Sequence, residues 1–95
     1  MPVTRLTEDE IGLQLEAFSN WDLRDGKLCR SLQFTDFSAA FAFMTRVAQA
    51  AEQLNHHPEW SNVWNRVEIA LTTHDAGGIS ELDFALAGRI EALLH

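Results

Sequence analysis

Three histidines and a nearby carboxylate are the residues of this chain best suited to chemistry. His56 and His57 are adjacent where a long helical pattern stops, and His74 follows a predicted strand. Glu52 precedes His56 by four positions, a spacing that places both side chains on one helix face, so we expect this carboxylate to orient the His56 ring. A neighbouring carboxylate and the carboxyl end of a helix both favour the imidazolium form, which suits proton transfer near neutral pH.

The histidines admit three interpretations: a proton-transfer site, a metal site and a polar helix end. Pro58 stops the helix and restricts His57 to extended geometry, so we expect the two adjacent rings to point apart. No local spacing supplies a third or fourth metal ligand, and we therefore predict no metal. If the end of the last strand lies beside the helix end, the three histidines share one pocket suited to a flat heterocycle. We expect this pocket to be flanked by Glu52, Asp75 and Asp83, with an aromatic wall from Trp60 or Trp64.

Capping residues and hydrophobic periodicity predict seven elements in the order α-β-β-α-β-β-α. Thr7 and Glu10 have the spacing of a capping box, and so do Ser80 and Asp83. Asp25-Gly26 favours the tight turn of a β-hairpin. The predicted elements are a first helix of about three turns after residue 7, strands over 21–24 and 28–34, a helix over 36–54, strands over 60–64 and 66–73, and a helix over 80–93.

Two hairpins separated by a helix predict a two-layer α+β fold in a single domain spanning residues 1–95. Because no connection requires parallel pairing, we expect one four-stranded antiparallel sheet with all three helices on one face. The second helix carries two apolar stripes, and we expect one to cover the sheet and the other to contact a partner subunit; a helix that is merely well buried is the alternative. The stripes are Phe37, Phe41, Met44, Ala48 and Ala51, and Ala40, Phe43, Val47, Ala50 and Leu54.

Charge and cysteine content exclude several classes of function. The 95 residues include 14 acidic and 7 basic side chains, and a net charge of -7 opposes phosphate contacts, so we predict no direct binding of nucleic acid. Cys29 is the only cysteine, which fits a reducing cytoplasm. No apolar run has the length of a signal peptide or a membrane span, and we expect a soluble, cytoplasmic protein without membrane association.

A set of separated residues resembles the signature of the pterin-4a-carbinolamine dehydratases. The similarity extends from about residue 21 to residue 93, and includes Phe34-Thr-Asp-Phe37 and Phe43-Met-Thr-Arg-Val47. The signature itself consists of Glu52, the run His56-His57-Pro58, Trp64, His74 and Asp83.

The resemblance implies a hydro-lyase that needs no metal or cofactor. Its reaction is the dehydration of a 4a-hydroxytetrahydropterin, such as 4a-hydroxytetrahydrobiopterin, to a quinonoid dihydropterin, in pterin recycling beside aromatic amino-acid hydroxylases. The departing hydroxide needs a proton and a ring N–H must lose one, and imidazoles can do both. The resemblance also implies a homodimer or a homotetramer. A non-catalytic assembly or transcription-cofactor module with the same fold, and a metal-dependent hydrolase using the same histidines, are the alternatives.

The resemblance implies a role for each matching residue. His56, His57 and His74 are the active-site histidines, and we expect His56 and His74 to transfer protons while His57 positions the pterin. Glu52 and Asp83 are the supporting carboxylates. The residues expected to bind the substrate are Asn55, Trp60, Thr72, Thr73 and Asp75.

Overall fold

Three helices cover one face of a four-stranded antiparallel sheet in the computed structural model, which describes residues 3–95. The strands lie in the order β1-β2-β4-β3, so β2 and β4 are central. The predicted two-layer α+β fold is confirmed. The elements are α1 (Glu8–Leu15), β1 (Asp22–Arg24), β2 (Lys27–Gln33), α2 (Phe37–Leu54), β3 (Glu59–Val63), β4 (Arg66–Leu71) and α3 (Glu81–Leu93), with a 3-10 turn at His74–Ala76.

The core lies between the sheet and the helices. On β4, Val67, Ile69 and Leu71 are buried while Arg66 and Glu68 are exposed, as alternation along a strand with one covered face requires. The opposite face of the sheet is polar. The helices contribute apolar side chains to the same core, namely Ile11, Ala40, Phe43, Val47, Ala50, Ala51, Phe84, Leu86, Ala87 and Ile90.

The two stripes of α2 have different environments. The stripe containing Phe43 and Val47 is buried against the core. On the other stripe, Phe37 and Phe41 are 48% and 54% exposed, and their ring centroids lie 5.7 Å apart. An unusual pair of exposed aromatic rings therefore remains on the outer surface of the helix.

Capping residues and a turn dipeptide correctly predicted two helix starts and one hairpin turn. Both predicted capping boxes form, at Thr7 with Glu10 and at Ser80 with Asp83. Asp25 and Gly26 have φ angles of 52° and 73°, and they form the predicted hairpin turn.

The predicted length of the first helix is wrong. It has 8 residues, and the backbone N–H of Phe18 donates to the Leu15 carbonyl in a turn that leads the chain toward β1. Phe18 leaves the helical path to pack against Phe84, at a ring-centroid distance of 5.6 Å. The strand ends also differ: Trp64 lies in the β3–β4 turn with a φ of 50°, and β4 ends at Leu71 rather than residue 73.

Glu91 attaches α3 to the sheet. Its Oε1 accepts hydrogen bonds from Trp21 Nε1 at 2.7 Å and from Arg30 Nε at 2.9 Å. Among residues 3–95, no helix has both the length and the hydrophobicity that crossing a membrane requires.

Candidate active site

The end of α2 determines where the two adjacent histidines point. Asn55 adopts the left-handed conformation, with φ 50° and ψ 42°, and the backbone N–H of His56 donates to the Ala51 carbonyl at 3.0 Å. This closure ends the helix and reverses the chain. As a result His56 is buried, whereas the side chain of His57 is 59% exposed.

The predicted pairing of Glu52 with His56 is wrong. Glu52 Oε2 instead lies 2.6 Å from His57 Nε2, and both side chains are exposed. The rule for residues four apart assumes a continuous helix, and this helix ends before His56. Glu52 therefore supports His57.

His56 is held by Asp83, on the first turn of α3. The distance between His56 Nε2 and Asp83 Oδ1 is 2.5 Å, and Asp83 is completely buried. Asp83 Oδ2 accepts hydrogen bonds from Thr73 Oγ1 at 2.8 Å and from the backbone N–H of Ser80 at 2.9 Å. Both carboxylate oxygens are thus satisfied, as a buried charged group requires. Because Nε2 of His56 faces the carboxylate, Nδ1 is the ring nitrogen left for a ligand.

His74 lies at the start of the 3-10 turn, with its side chain 85% exposed. Its Nε2 is 3.6 Å from Glu59 Oε2, and Glu59 Oε1 accepts a hydrogen bond from Lys27 Nζ at 2.7 Å. The strand β4 ends two residues earlier than predicted, at Leu71, so His74 does not directly follow the strand. The ring nevertheless projects beyond the end of β4.

One concavity of about 290 Å³ brings the three histidines together. It opens between the end of α2 and the connection from β4 to α3, and its size approaches that of a site for a small heterocycle. Larger concavities on the open sheet face and beside α1 contain no histidine. The concavity is lined by Val3, Asn55, His56, His57, Thr72, Thr73, His74, Asp75 and Leu82.

Two predicted substrate contacts have other partners in the structure. Trp60 packs against the core and does not line the concavity, because its position in β3 pairs it with Ile69 on the covered face of the sheet. Trp64, the other candidate for an aromatic wall, lies in the β3–β4 turn, beyond the far end of β3. Thr73 lines the concavity, and its hydroxyl is bonded to Asp83 and to Ser80 Oγ.

Sequence reasoning also missed several polar contacts. Thr73 and Ser80 position Asp83, and Glu59 lies beside His74. The capping box at Ser80 was a local signal for the contact between Ser80 and Asp83. No local pattern indicated the contact between Glu59 and His74, because the spatial neighbours of Glu59 depend on strand register. Within the part of the chain that the structure describes, no three His, Cys, Asp or Glu side chains form a group that could hold a metal ion.

The fold is that of a small α+β protein, and its three clustered histidines line one concavity. The family model described as pterin 4 alpha carbinolamine dehydratase matches residues 4–93. This chain therefore belongs to the pterin 4 alpha carbinolamine dehydratase family.

Relatives cover nearly the whole chain. A protein from Rhizorhabdus wittichii is 60% identical over 98% of each chain, and one from Solibacter usitatus is 54% identical over 95% of each. Both carry the provisional name pterin-4-alpha-carbinolamine dehydratase. A solved structure from Brucella melitensis, named transcriptional coactivator/pterin dehydratase, superposes with a TM-score of 0.92 at 45% identity, covering 97% of this chain and 100% of that chain.

Proposed function

We propose that this protein is a hydro-lyase that dehydrates a 4a-hydroxytetrahydropterin to the quinonoid dihydropterin. Membership of the family and the names of its relatives support this activity. The observation that carries the proposal is the meeting of His56, His57 and His74 in one concavity. A protein that only assembled with partners would have no need of three converging imidazoles.

In the proposed reaction the bond from C4a to its hydroxyl breaks as the oxygen gains a proton, and water leaves. A ring N–H loses its proton, and its electron pair forms the new C=N bond. His56 is suited to take this proton, because the buried Asp83 carboxylate compensates the charge that the ring gains. His74 then supplies the proton to the departing oxygen and recovers one from solvent, to which it is open.

The remaining polar groups are proposed to hold the pterin. His57, supported by Glu52, positions the ring from the exposed side of the concavity. Asn55, Thr72 and Asp75 line the same concavity and offer polar groups to the amide edge of a pterin. The proposed reaction uses no metal or cofactor.

The proposed setting is a cytoplasmic homo-oligomer that recycles tetrahydropterin, in organisms where an aromatic amino-acid hydroxylase generates the carbinolamine. The exposed aromatic stripe of α2, with Phe37 and Phe41, supports oligomerisation through this helix. The name of the Brucella melitensis structure also includes a transcriptional coactivator, and a purely regulatory role is the alternative function.

Stopped-flow measurement of a freshly generated 4a-hydroxypterin tests the proposal. The measurement is made with and without protein, at a pH where spontaneous dehydration is slow. We expect decay of the carbinolamine to accelerate in proportion to protein concentration. Decay at the spontaneous rate at every protein concentration would exclude the dehydratase and leave the regulatory alternative.

A further inference from the structure

We propose that Glu59 is a positioning residue for His74, holding the imidazole by Nε2 so that Nδ1 is presented to the substrate. This role rests on the proposed function. The role involves three residues from different segments of the chain. Glu59 begins β3, His74 follows β4, and Lys27 begins β2. The Glu59 carboxylate lies between the other two, 2.7 Å from Lys27 Nζ through Oε1 and 3.6 Å from His74 Nε2 through Oε2.

Strand register brings these three segments together. Ala70 on β4 pairs with Glu59 on one side and with Cys29 on the other. Lys27 lies two residues before Cys29 and shares its face of the sheet, because side chains alternate along a strand. The contact between Lys27 and Glu59 thus spans the last residues of β4 on the open face. From that point the chain continues directly to His74.

Lys27 orients the carboxylate and keeps it charged. The hydrogen bond from Lys27 lowers the pKa of Glu59, and the charge of His74 acts in the same direction. The same bond raises the pKa of Lys27. Glu59 is consequently ionised at neutral pH, with Oε1 occupied and Oε2 available to His74.

Other charged or titratable groups also surround His74. Asp75 is its neighbour in the 3-10 turn, and His56 and His57 line the same concavity. Among the residues that the structure describes, Glu59 is the acidic side chain within ion-pair distance of the His74 ring. At 3.6 Å the contact is too long for a hydrogen bond, and it becomes an ion pair when the ring is protonated.

The two proposed proton-transfer rings then have the same arrangement. Asp83 holds Nε2 of His56 from inside the protein, and Glu59 holds Nε2 of His74 from the open face. Each ring is left with Nδ1 for the substrate. Since Glu59 is half exposed, solvent screens its attraction for the ring, and its main effect is on the orientation of the ring.

The ¹⁵N chemical shifts of the His74 imidazole, which report the ring nitrogen that carries the proton, test this role in Glu59→Gln. We expect the neutral ring of the parent protein to carry its proton mainly on Nε2, facing Glu59, and we expect this preference to weaken in the variant because an amide is a weaker acceptor than a carboxylate. Glu68→Gln is the matched control, since Glu68 lies on the same face and contacts Ser31 and Arg66 instead. We expect the tautomer preference of His74 to be unchanged in that control.

Turnover provides a second readout. We expect Glu59→Gln to lower kcat by up to about tenfold, less than the 10²- to 10⁴-fold typical of a lost acid or base, with KM nearly constant. A His74 tautomer preference identical in parent and Glu59→Gln would overturn the proposal whatever the activity. Failure of the proposed function is distinguishable, because the parent protein itself would then not accelerate the carbinolamine's decay.

Discussion

His56 Nε2 lies 2.5 Å from Asp83 Oδ1, and this contact joins the end of α2 to the first turn of α3. The same carboxylate completes the capping box with Ser80 and accepts a hydrogen bond from Thr73. One buried side chain therefore begins a helix and orients a histidine of the candidate site. Stability and site geometry are coupled at this position.

Substitution of Asp83 should be costly for stability. Asp83→Ala leaves the Ser80 N–H, the Thr73 hydroxyl and His56 without their shared acceptor in a buried place, so we expect the free energy of unfolding to fall by about 3 kcal/mol. Urea denaturation monitored by circular dichroism measures this free energy of unfolding. Glu81→Ala, on the exposed side of the same turn, is the control and should change stability by about 0.5 kcal/mol or less. Equal stability of the two variants would contradict the coupling.

His56→Ala and His74→Ala should differ in their effect on stability. Each is expected to lower kcat by about ten- to a thousandfold, as loss of a general acid or base does. His56 is buried and bonded to Asp83, so its removal should also destabilise the fold, whereas His74 is exposed. Stopped-flow rates and urea denaturation of both variants test this. Wild-type turnover in His74→Ala would show that the proposed proton-transfer pair is wrong.

Phe41→Glu should weaken self-association. A carboxylate at the centre of the exposed stripe of α2 would have to be desolvated in a helix-to-helix contact, which is unfavourable. We expect the parent protein to sediment as a dimer or tetramer and the variant to shift toward monomer. Leu13→Glu, at an exposed position on α1, is the control and should leave the mass unchanged. A parent protein that sediments at 10.7 kDa would contradict the prediction.

The thiol of Cys29 should react slowly with alkylating reagents in the native protein. Burial raises the pKa of its thiol, so at a given pH less of the reactive thiolate is present than in an unfolded peptide. We expect alkylation by iodoacetamide at pH 8 to be slower in the native protein than in urea, with the rate rising as pH increases. Equal native and denatured rates would show that the thiol is not protected.

Interactions between near neighbours in the chain were predictable from the sequence alone. Both capping boxes, the Asp25-Gly26 turn and the order of the seven elements depend on residues a few positions apart, whose preferred conformations agree with the final fold. The fold class followed from that order. The spacing of the three histidines also carried the resemblance to the family.

Only the tertiary structure decided which side chains meet. Asp83 lies 27 positions from its partner His56, and Glu59 lies 32 positions from Lys27. Spacing alone paired Glu52 with His56, but the left-handed residue Asn55 ended the helix and moved that carboxylate to His57. Such pairings depend on where a helix ends and how strands are registered. Those features are set by packing of the whole core, because a shift of one residue turns a side chain to the opposite face.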